Sequence, residues 1–118
     1  MTRMWGIDPQ LLCDQHLLGE HTEMHQAVGT LRNHPHGEAI VRGHAERQQL
    51  DTSKLQARHD DLADELERRG MTHDSPMNYE DTHELGSINP ERNRTDLQNR
   101  CEDCQNRIET TETDSTNS

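Results

Sequence analysis

Three side chains that can exchange protons or hold charge recur in one segment of the chain. His16, Glu20 and Glu23 are separated by four and then three residues. Positions with these spacings share one face of a helix, so the sequence predicts an imidazole and two carboxylates along a single stripe. Carboxylates placed in this way can stabilise a developing positive charge and transfer protons. Taken one at a time, these three residue types are usually solvated surface groups.

The second residue of the chain offers a reactive group of another kind. Thr2 is small, so we expect removal of the initiator methionine to expose its α-amine. Such an amine titrates at about 7.7–8.0, which leaves a neutral and nucleophilic fraction at neutral pH. A nucleophilic amine can form a covalent imine intermediate with a suitable carbon centre. Threonine after methionine is common, so Thr2 alone identifies no activity.

The cysteines could form a second site. Cys101 and Cys104 are separated by two residues, and Cys13 is the third cysteine. One interpretation is half of a zinc site, completed by Cys13 or by histidines such as His34 and His36, because zinc takes four ligands. Another is a redox pair, although the expected strand–helix–strand context is missing. The third, which we favour, is that both cysteines fill apolar positions of a helix, and we therefore predict no metal site.

Three segments of the chain carry helical periodicity together with end signals. Two of them open with Asp or Asn followed by proline, which places a capping acceptor before a residue whose missing N–H costs nothing there. The other ends in two arginines and a glycine that suits a left-handed C-cap. The predicted helices run from Asp8-Pro9 to about Leu31, from Thr52 or Ser53 to Gly70, and from Asn89-Pro90 through Ile108.

The remaining segments are predicted to be irregular. Residues 33–50 indicate a loop with at most one short helix, residues 71–88 a connecting loop, and no segment has a strand pattern. The fold class we predict is all-α, a compact single domain of about three helices with long loops over residues 1–109, followed by a polar tail at 110–118. The apolar positions of the first helix expected to face the core are Leu11, Leu12, Leu18, Val28 and Leu31.

The composition is strongly acidic and poor in large apolar side chains. The chain has 23 Asp and Glu against 12 Lys and Arg, a formal net charge of −11, and Lys54 is its only lysine. Hydrophobic residues make up 27%, and Trp5 and Tyr79 are the only Phe, Trp or Tyr residues. Arginine in place of lysine and a carboxylate surface favour solubility in molar salt, where the Debye length is about 3 Å. We therefore expect a halophilic host or its virus.

Two classes of protein are disfavoured by the sequence. No apolar run approaches the length needed to cross a membrane, and Met1–Pro9 lacks the basic start and apolar stretch of a signal peptide. Three cysteines, an odd number, argue against a secreted disulfide framework. We expect a cytoplasmic protein, or alternatively one associated with a virus particle.

The N-terminal segment carries a resemblance to a known family. Met1-Thr2-Arg3, then Asp14-Gln15-His16-Leu17, Glu20 and Glu23 resemble the N-terminus of the phage-type pyrimidine-dimer DNA glycosylase and AP lyase family, often called endonuclease V. The likeness needs no gap between residues 1 and 34 and resumes more weakly at Leu62–Gly70. It implies a helical monomer that binds damaged double-stranded DNA, cuts a glycosidic bond at a pyrimidine dimer and then nicks the strand.

The resemblance also implies roles for particular residues. Thr2 would supply the amine nucleophile and Glu23 the carboxylate that stabilises the cationic sugar and shuttles protons. Arg3 would clamp a phosphate beside the amine. This chemistry needs no metal and no other cofactor. The remaining residues that we assign to DNA contact are Gln15, His16, Glu20 and Arg32.

Some features depart from that family. Thr22 and Gln26 stand where the family usually carries arginines that bind phosphates, and the net charge of −11 opposes DNA binding at low salt. Two other functions therefore stay open: a catalytically inactive DNA-binding relative, such as a virion component, and a zinc-stapled interaction module. The cations available as substitute phosphate contacts are Arg32, Arg42, Arg47, Arg68 and Arg69.

Overall fold

A computed structural model describes residues 3–71 and 76–116, with side chains as far as residue 110. The strands in the described residues are β1, Gln49–Asp51, and β2, Gly86–Ile88. Two short 3-10 turns, Pro9–Leu11 and Thr52–Lys54, precede helices. The helices are α1 (Asp14–Asn33), α2 (Gly37–Glu46), α3 (Leu55–Arg68), α4 (Pro90–Arg100) and α5 (Glu102–Thr116). The fold is mostly helical, as predicted, and no helix in this part of the chain has the length and apolar character to cross a bilayer.

The first helix begins later than the sequence predicted. Asp8 does act as a cap, since its Oδ1 accepts a hydrogen bond from the Gln10 N–H at 3.0 Å. The element that it caps, however, is only the 3-10 turn at Pro9–Leu11. The backbone is then extended at Leu12 and Cys13, and α1 starts at Asp14. This extended step places both the Leu12 and Cys13 side chains in the interior, which a continuous helix would not do.

The core-facing side of α1 is partly different from the predicted one. Leu12 and Val28 are buried as expected, but Leu18 is 46% exposed. Leu17 and Met24 fill the interior in its place and are fully buried. The seven-residue spacing of Leu17 and Met24 is two helical turns, so they lie above one another on the buried face of α1.

The segment predicted as a loop with at most one short helix does contain one helix, and it also contains a strand that was not predicted. It contains α2, and β1 then pairs antiparallel with β2, with Leu50 opposite Ser87 and Asp51 opposite Gly86. Gly86 has a φ of +82°, and a Cβ at this position would collide with the carbonyl oxygen of Leu50. Only glycine therefore permits this pairing. The sequence predicted no strand, because three-residue strands are too short for alternation to appear.

The end of the second predicted helix is confirmed in detail. Gly70 has a φ of +79°. Its N–H donates to the Glu67 carbonyl, and the Met71 N–H donates to the Leu66 carbonyl, both at 2.9 Å. These two hydrogen bonds form a Schellman motif, which satisfies carbonyl groups at the end of α3.

The third predicted helix is two helices. Asn89 Oδ1 accepts from the Arg92 N–H at 3.1 Å, so the predicted cap is confirmed. The helix is interrupted at Cys101, whose φ of −135° and ψ of 108° are those of extended backbone. The following helix, α5, continues to Thr116 and so extends into the segment 110–118 that the sequence predicted as a polar tail.

A buried ion pair joins α1, α3 and the N-terminal segment. Arg58 on α3 contacts both carboxylate oxygens of Glu20 on α1: its Nε donates to Oε2, and its Nη2 donates to Oε1 at 2.9 Å. Its Nη1 also donates to the Ile7 carbonyl at 2.6 Å. Glu20 and Arg58 are 1% and 7% exposed. Each charge is therefore compensated inside the protein, and removal of one would leave the other buried and unpaired.

We expect Arg58→Met to lower the free energy of unfolding by about 3–5 kcal/mol, the usual cost of breaking a buried ion pair. Urea unfolding followed by circular dichroism measures this change. Arg42→Met is the matched control, because its 2.9 Å pair with Glu38 is exposed and should contribute no more than about 1 kcal/mol. The double variant Glu20→Leu/Arg58→Met should recover much of the loss, since no charge remains buried. Equal costs for Arg58→Met and Arg42→Met would contradict this assignment.

Candidate active site

A cleft lies between the N-terminal segment, one face of α1 and the end of α4. The predicted stripe is confirmed, because His16, Glu20 and Glu23 all lie on the α1 side of this cleft. The opposite side is built by the N-terminal segment, and Arg100 of α4 closes one end. The lining residues are Arg3, Trp5, Gln15, His16, Gly19, Glu20, Glu23 and Arg100.

Glu23 on α1 is half-buried and contacts Arg3, the first residue that the structure describes. Its Oε2 accepts a hydrogen bond from the backbone N–H of Arg3 at 3.0 Å. Burial raises the pKa of Glu23 above its ordinary value, and the hydrogen bond from Arg3 acts in the opposite direction. The carboxyl group is thus better suited to exchanging protons near neutral pH than an exposed glutamate. Thr2, the predicted nucleophile, lies outside the described residues.

The guanidinium of Arg3 is occupied inside the protein. Its Nη2 donates to Asn93 Oδ1 at 2.8 Å and to Asp96 Oδ2 at 2.7 Å. Its Cζ lies 4.1 Å from the centre of the Trp5 ring, a cation–π contact. Arg3 is 8% exposed, so its side chain mainly fixes the first residues against α4. The hydrogen bond from Arg3 also lowers the pKa of Asp96.

Asn93 on α4 is a site residue that the sequence analysis missed. It is fully buried, and its Nδ2 donates to the carbonyl oxygens of Met4 at 3.2 Å and Trp5 at 2.8 Å. These bonds tie the N-terminal segment to a helix almost ninety positions away in the sequence. Arg100, the exposed cation at the end of the cleft, was also missed. Neither residue belongs to a local motif, so no sequence signal identified them.

The residues predicted to contact DNA fall into different environments. Gln15 is exposed at the edge of the cleft, whereas Glu20 is almost completely buried against Arg58. We therefore assign Glu20 a positioning role. His16 turns its Nδ1 towards sulfur atoms, 3.2 Å from Cys13 Sγ and 3.5 Å from Cys104 Sγ.

Arg32 is exposed but does not line the cleft. It lies sixteen residues after His16 on α1, or about 24 Å along the helix axis. There its guanidinium contacts the Asn78 carbonyl and lies 5.9 Å from the Tyr79 ring. The predicted DNA contact of Arg32 would therefore lie at some distance from the reacting group.

Several of the arginines suggested as substitute phosphate contacts are already paired. Arg69 donates to Glu65 Oε2 at 2.7 Å, to Asp14 Oδ1 at 3.0 Å and to the Leu12 carbonyl at 2.8 Å. Arg68 shares the Glu65 carboxylate, with Nε 2.7 Å from Oε1. These contacts lower the pKa of Glu65, the hydrogen bond from Arg68 contributing most. Arg69 thus joins the end of α3 to the start of α1, whereas Arg68 pairs within α3.

Comparison with known protein families identifies the part of the chain that contains most of the cleft. The model of the family described as pyrimidine dimer DNA glycosylase matches residues 2–79, which is most of the chain. The matched part contains every lining residue of the cleft except Arg100. No curated protein and no solved structure matches the chain. Because the family match spans more than half of the sequence and includes the cleft, the chain belongs to the pyrimidine dimer DNA glycosylase family.

Proposed function

We propose that this protein is a DNA glycosylase with AP lyase activity on pyrimidine dimers in double-stranded DNA, with the Thr2 α-amine as nucleophile. The observation that carries the proposal is the hydrogen bond between the Arg3 N–H and Glu23 Oε2 at 3.0 Å. The Thr2 amine is only three covalent bonds from that nitrogen. A nucleophile and a half-buried carboxylate close to each other are the two groups that the reaction needs.

The reaction divides into two steps. The neutral amine attacks C1′ of the damaged nucleotide, the C1′–N bond breaks, and the base leaves with the bonding electrons and takes up a proton. Loss of the amine protons and opening of the sugar ring then give an imine, whose protonated form acidifies the C2′ proton. Removal of that proton expels the 3′ phosphate by β-elimination. Glu23 stabilises the cationic sugar in the first step and relays protons in both.

The charges around the cleft suggest how DNA is held. Arg100 and Gln15 are both exposed at its edge, so we assign Arg100 a phosphate contact and Gln15 a contact to the strand. Arg3 acts by positioning, because its guanidinium already binds Asn93 and Asp96. To expose C1′, the target nucleotide or its partner must leave the base stack, which costs less at a lesion that already distorts the duplex.

An inactive DNA-binding relative is the second candidate. Thr22 and Gln26 are exposed and uncharged on α1, beside Glu23, where the family usually carries arginines. Loss of two cations weakens phosphate binding at this place. The two candidates differ in whether a covalent intermediate forms.

We expect the chain, with Met1 removed, to form a covalent adduct with abasic or ultraviolet-irradiated DNA in the presence of sodium borohydride. Borohydride reduces the imine to a stable secondary amine, so mass spectrometry of the digested adduct should locate the DNA on Thr2. Acetylation of the terminus should abolish both the adduct and strand nicking while the helical content stays unchanged. Protein that binds damaged DNA but never forms the adduct would support the inactive relative.

Glu23→Gln should slow release of the base by about 10²–10⁴-fold, the range for loss of acid–base or electrostatic assistance. Nicking of a preformed abasic site should fall less, since the glycosidic bond is already broken. Acidification should first lower the single-turnover rate of the parent protein by protonating the Thr2 amine. Because burial raises the pKa of Glu23, a second decline should follow at a pH above the ordinary glutamate pKa, and Glu23→Gln should lack it. Glu67→Gln, an exposed site on α3, is the control and should leave the rate unchanged. A parent-like rate in Glu23→Gln would remove Glu23 from the mechanism.

We also propose that the protein works in the cytoplasm of a halophilic host, or in its virus, at molar salt. With a net charge of −11, its folded state is destabilised by self-repulsion when screening is weak. Helical content measured by circular dichroism should therefore fall as salt is lowered from about 3 M to about 0.05 M, where the Debye length is several times longer. Equal helicity across this range would contradict adaptation to high salt.

A further inference from the structure

Four side chains with soft or borderline ligand atoms meet beside the cleft. Cys13 and His16 come from the start of α1, and Cys101 and Cys104 come from the junction of α4 and α5. Their three sulfur atoms and one imidazole nitrogen all lie within 4.8 Å of one another. We propose that these four residues bind one structural zinc ion, which fastens the C-terminal helices to the cleft.

The distances within the cluster fit a tetrahedral zinc site. Zinc–sulfur and zinc–nitrogen bonds of about 2.3 and 2.0–2.1 Å place tetrahedral ligands about 3.8 Å apart for two sulfurs and about 3.5 Å apart for sulfur and nitrogen. Cys13 Sγ and Cys101 Sγ are 3.8 Å apart. His16 Nδ1 is 3.2 Å from Cys13 Sγ and 3.5 Å from Cys104 Sγ. These three distances are thus close to those of a tetrahedral site, and the other pairs of ligand atoms lie within 4.8 Å.

The spacing and the backbone agree with this assignment. Cys13 and His16 are separated by two residues, as are Cys101 and Cys104, a spacing typical of paired zinc ligands. Both breaks that the sequence did not predict, before α1 and between α4 and α5, occur at ligand residues. Extended backbone at Cys13 and Cys101 turns each sulfur towards the others, which continuous helices would not allow.

Backbone N–H groups also contact the sulfur atoms of this cluster. The Cys13 N–H donates to Cys104 Sγ at 3.2 Å, and the Cys104 N–H donates to Cys101 Sγ at 3.5 Å. Ligand atoms of metal sites commonly take part in such outer hydrogen bonds, which fix their orientation. Three thiolates and one imidazole complete the four ligands of a closed structural site and favour zinc over magnesium or calcium.

This proposal goes beyond the interpretation that we favoured from the sequence, since Cys104 does lie in the hydrophobic core, with Cys101 packed against it. Apolar packing accounted for Cys101 and Cys104, and His34 and His36 were considered as further ligands. The structure leaves His34 and His36 exposed and places His16 at the sulfurs instead. His16 then serves as a zinc ligand, and contact with the DNA strand is left to Gln15.

The proposed zinc site has a structural purpose in this chain. The family match ends at residue 79, so Cys101 and Cys104 lie beyond it. A zinc ion would hold their helices against α1 and fix Arg100, the neighbour of Cys101, at the end of the cleft. Metal binding free energy would also supplement a core limited by 27% hydrophobic residues. This inference does not depend on the proposed enzymatic activity.

The test measures metal in the full-length protein purified under reducing conditions. Elemental analysis should find one zinc per chain. Replacement by Co²⁺ should produce thiolate-to-cobalt charge-transfer bands in the near ultraviolet and the intense visible bands of tetrahedral cobalt. Cys101→Ser, at the more exposed cysteine, should weaken zinc binding by more than about 100-fold, beyond the range for a residue that only supports a ligand.

A separate cluster of three histidines provides the matched control. His21, His25 and His59 also have nitrogen atoms within 4.8 Å of one another, so His25→Gln removes a possible ligand of a site without sulfur. This variant should keep one zinc and an unchanged cobalt spectrum. Loss of zinc in His25→Gln but not in Cys101→Ser would overturn the proposal.

The parent protein alone also decides the question if a variant fails to fold. A chelator should lower its melting temperature reversibly, and a thiol reagent should modify all three cysteines only after the metal is removed. Reduced protein that shows no thiolate-to-cobalt bands during cobalt titration would overturn the proposal. A disulfide between Cys13 and Cys101 in protein isolated from a reducing cytosol would do the same.

Discussion

The buried ion pair between Arg58 and Glu20 is the constraint on which the α1 side of the cleft depends. It joins α3 to α1, and through the Ile7 carbonyl it also holds the N-terminal segment. Since both charges are removed from water, neither side chain can leave without a large cost. Glu23 lies one turn after Glu20 on the same helix. The rotation of α1 that buries Glu20 is therefore the rotation that presents Glu23 to the Arg3 N–H.

Arginine performs a similar task at two other places. Arg3 bridges Asn93, Asp96 and the face of Trp5, and Arg69 joins Glu65, Asp14 and the Leu12 carbonyl. A planar guanidinium can reach several acceptors at once, which a lysine ammonium cannot do with the same geometry. The preference for arginine in this chain thus has a structural cause. In this chain, the hydrogen bonds and ion pairs of arginine join elements that aromatic side chains join by packing in other small domains.

The sequence predicted those parts of the fold and site that depend on neighbouring residues. The caps at Asp8 and Asn89, the glycine end of α3 and the shared face of His16 and Glu23 all follow from spacing along the chain. Burial of Leu17 in place of Leu18 was missed, because hydrophobicity alone cannot separate two adjacent leucines.

Features set by distant contacts escaped the sequence analysis. The break at Cys101 and the pairing of β1 with β2 depend on partners far away in the chain. The same is true of Asn93, whose neighbours at Met4 and Trp5 belong to the opposite end of the sequence. A helix-forming pattern describes what a segment prefers in isolation. It contains no information about which carbonyl or sulfur atom will lie beside it.

Trp5 makes the cleft observable by intrinsic fluorescence. It is the chain's one tryptophan, it is 7% exposed, and it lies 4.1 Å from the Arg3 guanidinium and 5.7 Å from the His16 ring. Tyr79 contacts Arg32 on another part of the molecule. Fluorescence excited at wavelengths absorbed only by indole therefore comes from the cleft wall alone. The intensity and the emission maximum of this fluorescence report on the charge and solvent beside the N-terminal segment, without an attached dye.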